Sequence, residues 1–130
     1  MKILVAYDGT LNAKDALRYG IRRAQNADAE LVVLAVFNSH LFIDYDVWGA
    51  EEKARREAEQ LVADAKELLA RLAHGLKVSM YSTEGNLEQI TAEFARDEHV
   101  DLILTPARYA DIAEIAPCRV SILPRECPAC

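Results

Sequence analysis

Residues 31–37 read Leu31-Val-Val-Leu-Ala-Val-Phe37 and form the longest uninterrupted apolar run in the chain. A run of this length without polar alternation predicts a strand buried on both faces, as in a parallel sheet. Upstream, apolar residues recur at helical spacing over about residues 13–26, with Asn12 as the predicted N-cap, and a second apolar run covers residues 3–7. Two buried strands joined by a helix predict a βαβ unit with parallel strands.

The same alternation continues downstream. Residues 38–49 show no clear period, and residues 50–73 predict a long helix that stops before Gly75. The remaining predicted elements are a strand over 76–81, a helix capped by Asn86 and Gln89 that runs to about residue 98, a strand over 101–105, at most a short helix over 109–116, and a strand over 118–123. This pattern predicts one doubly wound α/β domain over residues 1–124, a five-stranded parallel sheet with helices on both faces, and a tail over 125–130.

Composition narrows the function classes. The 130 residues are 52% hydrophobic and 28% charged, which fits one folded domain and excludes a disordered chain. The net charge of -6 argues against binding to nucleic acid or to an anionic membrane, because both need a basic surface. We find no signal peptide and no apolar run long enough to span a membrane, so we expect a cytoplasmic location. The number of cysteines is odd, so we expect no disulfide framework.

Ligands of doubly wound sheets bind beyond the carboxyl ends of the strands, near the point where the strand order reverses. The residues that follow the predicted strands are therefore the candidates for a binding site. They are residues 8–12, 38–40, 83–86 and 105–108. We identify no Ser-His-Asp or Cys-His arrangement and no set of residues with metal-ligand spacing, so the sequence predicts no catalytic or metal site.

Asp8-Gly9-Thr10 follows the first strand and admits several interpretations. Phosphatases of the haloacid dehalogenase type carry a nucleophilic Asp two residues before such a motif. Ala6 occupies that position here, so the covalent nucleophile is missing. A receiver domain needs a phosphorylatable Asp after its third strand, and Tyr81-Ser82-Thr83 provides none.

Four segments together resemble the universal stress protein family. Residues 3–10 followed by Ala16-Leu17 are similar to its first strand, Asp-Gly-Ser/Thr turn and first helix. Glu84-Gly85-Asn86 followed by Ile90 is similar to its turn into the third helix. Residues 101–104 resemble its fourth strand, and residues 116–120 followed by Ile122 resemble the start of its fifth strand. The resemblance covers about residues 2–124 and implies the strand order 3-2-1-4-5 and a vestigial nucleotide site. The positions that it implies for that site are Asp8, Gly9, Thr10, Phe37, Thr105 and Arg108.

One departure from the family bears on the ligand. Nucleotide-binding members carry Gly-x2-Gly-x9-Gly-Ser/Thr after strand four, where the glycines let backbone amides wrap the triphosphate. This sequence has no glycine after Gly85, and Pro106 stands at the first glycine position without an amide hydrogen. We therefore expect no standard ATP binding and no resident cofactor. The alternative is a nucleotide-binding protein that holds ATP or AMP through Asp8 and an altered loop, with weak ATPase activity.

These observations favour a non-enzymatic protein of stress response or regulation that acts on an unidentified protein partner. The implied strand order places the last strand at a sheet edge, and an uncovered edge predicts a homodimer through residues 119–123. Phe42, Tyr45 and Trp48 lie in the connection over 38–49 and predict a partner or ligand surface. Cys127-Pro128-Ala129-Cys130 leaves a third function open, thiol redox or metal-linked chemistry.

Overall fold

The structure, a computed structural model, describes residues 1–37 and 50–123, with side chains described from residue 55 onward in the second range. Strands and helices alternate along these residues. The strands are β1 (Lys2–Tyr7), β2 (Glu30–Phe37), β3 (Val78–Glu84), β4 (Leu102–Pro106) and β5 (Arg119–Leu123). The helices are α1 (Leu11–Ala27), α2 (Ala50–Leu72), α3 (Leu87–Asp97) and α4 (Ile112–Ile115), and a 3-10 turn covers Ala107–Tyr109.

The five strands form one parallel sheet in the order β3-β2-β1-β4-β5. β1 lies at the centre, with Val5 paired to Val33 of β2 on one side and to Leu104 of β4 on the other. The predicted fold class and strand order are confirmed. The strand order reverses direction at β1, so the carboxyl ends of β1 and β4 flank the crevice where such folds bind ligands.

Alternate residues of β1 face opposite sides of the sheet. Ile3, Val5 and Tyr7 pack in the core beneath α1 and α2, whereas Leu4 and Ala6 pack in the core beneath α3 and α4. All five side chains are at most 1% exposed. Because helices cover both faces, the buried residues of a central strand are mostly apolar, which explains the uninterrupted runs in the sequence.

The start of α1 differs from the prediction. The N-cap is Thr10, whose backbone is extended and whose Oγ1 accepts a hydrogen bond from the Ala13 amide at 3.2 Å. Asn12 lies instead in the first turn and is exposed. Leu11 is in the helix but is 77% exposed, so the first residue on the buried face of α1 is Ala13. An N-cap is set by where the backbone turns into the helix, and the apolar period did not show that point.

Two later elements also differ in extent. β3 runs to Glu84, three residues beyond the predicted end, because β2 offers pairing partners as far as Phe37. The predicted helix over 109–116 is divided into the 3-10 turn and α4, which are separated by Ala110 and Asp111. The cap of α3 is confirmed, since Asn86 Oδ1 accepts from the Gln89 amide at 3.0 Å.

Three predictions fall on residues outside the described part of the chain. They concern the aromatic connection over 38–49, the tail over 125–130, and the Cys127–Cys130 pair. Within the described residues, no helix combines the length and the apolar character that crossing a membrane requires.

Candidate functional site

The carboxyl edge of the sheet holds a cavity of about 510 Å³, which we call the edge cavity. Residues that follow β1, β3 and β4 contribute to it together with the last two residues of β2, and α2 closes one side. The described residues that line it are Asp8, Thr10, Val36, Phe37, Glu57, Leu61, Gly85, Asn86, Leu87, Glu88, Arg108 and Tyr109. The edge predicted from the sequence is therefore the place where the structure has room for a ligand.

Asp8 is the most heavily hydrogen-bonded side chain among those lining the edge cavity. Its Oδ1 accepts from the Thr10 amide at 3.1 Å and from Thr10 Oγ1 at 2.6 Å. Its Oδ2 accepts from the hydroxyl of Tyr109, which lies in the 3-10 turn after β4. An ionised carboxylate offers about four acceptor positions, so three of them are filled by the protein itself.

Gly9 lets α2 approach this turn. Its φ of +84° lies in the left-handed region that side chains with a Cβ rarely adopt. A Cβ built there would lie 2.7 Å from Leu61 Cδ1, and Leu61 lines the edge cavity from α2. The small residue between Asp8 and Thr10 therefore supports both the backbone turn and the close position of the cavity wall.

Tyr109 packs against the core beneath α3 and α4 and makes two further side-chain contacts at the edge cavity. Its hydroxyl donates to Asp8, and the Arg108 guanidinium carbon lies 5.1 Å from the centroid of its ring, within the range of a cation–π contact. Burial, the hydrogen bond to Asp8 and the negative charge of Asp8 together raise the pKa of the Tyr109 phenol to about 12, against a smaller lowering by Arg108. The phenol therefore stays protonated, and able to donate, at any physiological pH.

The charges around the edge cavity are mostly negative. Among the described residues that line it, Asp8, Glu57 and Glu88 are acidic, and Arg108 is the one cation. Arg108 is exposed and lies beyond the end of β4. This balance suits a ligand that donates hydrogen bonds and carries little negative charge.

The structure brings together most of the positions that the family resemblance implied. Asp8, Thr10, Phe37 and Arg108 line the edge cavity, and Gly9 lies in the turn between the first two. Thr105 does not line it. The Thr105 side chain is fully buried, and its Oγ1 donates to the Pro106 carbonyl at 3.3 Å, because Thr105 points into the body of the sheet from within β4.

Sequence reasoning missed Tyr109 as a site residue. It was assigned to a short helix, although it directly follows Arg108 at the carboxyl end of a central strand. That position was the available signal, because side chains just beyond a strand end reach the ligand crevice. Within the described part of the chain, no group of three or more His, Cys, Asp or Glu side chains is placed to hold a metal ion.

Comparison with known proteins identifies the family. The model of the Universal stress protein family matches residues 1–114 of this chain. The chain belongs to the universal stress protein family. A Staphylococcus epidermidis protein named as a universal stress protein is 31% identical to this chain over 107 residues. The matched region covers 79% of this chain and 63% of that protein. The chain thus spans less than two thirds of the length of this curated relative.

Solved structures of other family members share the architecture. A universal stress protein family structure from Burkholderia pseudomallei is 25% identical, covers 95% of both chains and superposes with a TM-score of 0.76. An Arabidopsis thaliana family member with AMP bound is 13% identical, with a TM-score of 0.73 over 99% of this chain and 94% of its own. Two more universal stress proteins, one in complex with cAMP and one from Archaeoglobus fulgidus with dAMP, give TM-scores of 0.74 and 0.70 at 15% and 16% identity and cover at least 95% of each chain. At these low identities the nucleotide-bound structures establish a common fold.

Proposed function

We propose that this universal stress protein is a non-catalytic regulatory protein whose edge cavity binds a nucleoside or a nucleoside monophosphate, and does not hold ATP in the way that the glycine loop allows. The single observation that carries the proposal is the edge after β4. There the chain supplies Pro106, Arg108 and Tyr109 where a triphosphate would need converging amides. The relatives that hold AMP, cAMP and dAMP support a ligand with one phosphate.

The phosphate capacity of this edge is small. Pro106 is the last residue of β4 and has no amide hydrogen to donate. Arg108 is the one cation among the described lining residues, and Glu57 and Glu88 oppose further negative charge. Each phosphate oxygen that loses water without gaining a donor weakens binding, so a second and a third phosphate would cost free energy here.

The edge cavity offers more contacts to the nucleoside part of such a ligand than to its phosphate. Val36, Phe37, Leu61 and Leu87 give the edge cavity an apolar wall that a base can pack against. Asp8 supplies a carboxylate for an amine or a hydroxyl. Because Thr10 and Tyr109 already engage both oxygens of Asp8, this carboxylate is poorly placed to act as a general base, which supports a binding role over hydrolysis.

We infer a homodimer for the same protein from the edge of the sheet. β5 is the last strand of the order, and Ile122 is 40% exposed and Ile115 of the neighbouring α4 is 54% exposed. α4 has only four residues, so it is too short to cover the edge. Pairing β5 with a second copy would satisfy its outer amides and bury both isoleucines.

Calorimetry with adenosine, AMP and ATP with magnesium tests the nucleotide proposal. AMP should bind one site per chain, and MgATP should bind about tenfold more weakly or not at all. Arg108→Gln should lower the affinity for AMP relative to that for adenosine, because adenosine has no phosphate for the guanidinium. Arg22→Gln, a change to an exposed arginine of α1 outside the edge cavity, is the matched control. Micromolar MgATP binding that is tighter than AMP binding would overturn the proposal.

A further inference from the structure

The hydrogen bonds to Asp8 differ in how firmly they are held. Thr10 bonds to Oδ1 with both its amide and its hydroxyl, and the same hydroxyl caps α1. Breaking these contacts would disturb the first turn of a 17-residue helix. Oδ1 is therefore a fixed part of the scaffold.

The bond from Tyr109 to Oδ2 is of another kind. It comes from a three-residue turn that contains no buried residue and has no side-chain cap. A backbone hydrogen bond from the Ala110 amide to the Ala107 carbonyl, at 3.1 Å, closes the turn. The Tyr109 hydroxyl can therefore leave Oδ2 without unfolding a helix or a strand.

A ligand in the edge cavity meets Asp8 with its accessible oxygen already engaged. We propose that Tyr109 is a specificity-determining residue that competes with the ligand for Asp8 Oδ2, an inference that rests on the proposed nucleoside site. One acceptor position of Asp8 stays open, so a ligand N–H or O–H donor, such as the amine of a base or a sugar hydroxyl, can share Oδ2 with the phenol. The ligand gains the full strength of that oxygen only by displacing the phenol.

The competition selects for hydrogen-bond donors. A phosphate or carboxylate oxygen carries no hydrogen to donate to Asp8, so it cannot take the place of the phenol at Oδ2. The neighbouring residue responds to the same event, because Arg108 stacks on the Tyr109 ring and belongs to the same turn. Displacement of the phenol therefore also frees the one cation of the described cavity lining to meet an anionic group on the ligand.

Tyr109→Phe tests the competition, since it removes the hydroxyl and keeps the ring. By calorimetry the variant should bind adenosine about tenfold more tightly than the natural chain, because the ligand no longer has to displace a hydrogen bond to a charged group. Tyr81→Phe is the matched control, because Tyr81 is 44% exposed on β3 and does not line the edge cavity. In an Asp8→Asn background, Tyr109→Phe should change adenosine affinity by less than twofold.

A spectroscopic measurement keeps the inference testable if Tyr109→Phe does not fold. In the natural protein with 13C-labelled tyrosine, saturating adenosine should shift the Cζ resonance of Tyr109 and leave that of Tyr81 in place. Unchanged or weaker adenosine binding by a folded Tyr109→Phe, or a Tyr109 resonance that does not move at saturation, would overturn the inference. Tighter binding of MgATP than of AMP by the natural chain would overturn the proposed function alone, and absence of adenosine binding in both proteins would overturn both.

Discussion

The Thr10 hydroxyl joins the fold to the edge cavity, and Thr10→Val removes it while keeping the shape of the side chain. Oγ1 accepts from the Ala13 amide as the cap of α1 and donates to Asp8 Oδ1 at 2.6 Å. Loss of a cap costs about 1 kcal/mol, and a hydrogen bond to a charged group is worth about 1.5–3 kcal/mol. Because Thr10 and Asp8 are only half-buried, we expect the variant to lose about 2 kcal/mol of unfolding free energy, a sum at the low end of these ranges.

Urea unfolding followed by helical circular dichroism measures this loss at one fixed protein concentration. The midpoint should fall by about 1 M urea for a domain of this size. Thr10→Ser keeps the hydroxyl and should lie near the natural protein, whereas Asn86→Ala removes only the cap of α3 and should cost about 1 kcal/mol. The free energy assigned to the hydrogen bond between Thr10 and Asp8 is wrong if Thr10→Val loses no more stability than Asn86→Ala. It is also wrong if Thr10→Ser loses as much stability as Thr10→Val.

Three further predictions concern the core, the pH dependence and the assembly. Gly20→Ala should lower the unfolding free energy measured in urea by about 1 kcal/mol, because the alanine Cβ would lie 2.6 Å from Val5 Cγ2. This clash should outweigh the higher helix propensity of alanine, and a more stable variant would contradict the prediction. The pKa of Tyr109 is about 12 in the fold and near 10 when unfolded, so its contribution to stability is complete below pH 10 and is lost as pH rises toward 12. The urea midpoint should therefore fall between pH 9 and pH 11, and it should fall less in Tyr109→Phe; an equal fall in both proteins would refute this prediction. Sedimentation should show about twice the chain mass for the natural protein and a monomer for Ile122→Pro, and a dimer that persists in this variant would exclude β5 as the interface.

The fold was predictable because its physical requirement acts on every residue of an element. A strand covered by helices on both faces is buried on both sides and is therefore mostly apolar, and residues 31–37 are apolar without interruption. The edge of the sheet that holds the site followed from the same reasoning. The end of β3 did not, because Ser82, Thr83 and Glu84 are polar and are included only through pairing with β2. That pairing is a contact between distant segments, which local periodicity does not record.

The site was predictable in position and less so in its residues. Asp8 and Arg108 follow adjacent strands, and both line the edge cavity. Thr105 was expected there too, but a residue inside a strand points to one face or the other. Thr105 lies inside β4, where it pairs with Ile122 of β5, and its side chain is fully buried. Whether the last residues of a strand face a ligand or the core depends on where the strand stops, and the expected end was one residue too early.

The contact between Asp8 and Tyr109 joins residues that are 101 positions apart, and the strand order makes it possible. Val5 of β1 is paired with Leu104 of β4, so Asp8, three residues after Val5, and Tyr109, five residues after Leu104, emerge side by side. The order 3-2-1-4-5 therefore requires these two loops to meet. It does not fix which side chains meet, because a loop at a strand end can change without disturbing the sheet. In this chain the second loop offers a phenol and a guanidinium in place of glycine amides. Our proposal is that the phenol competes with the ligand for Asp8 and that few donors remain for a second and a third phosphate.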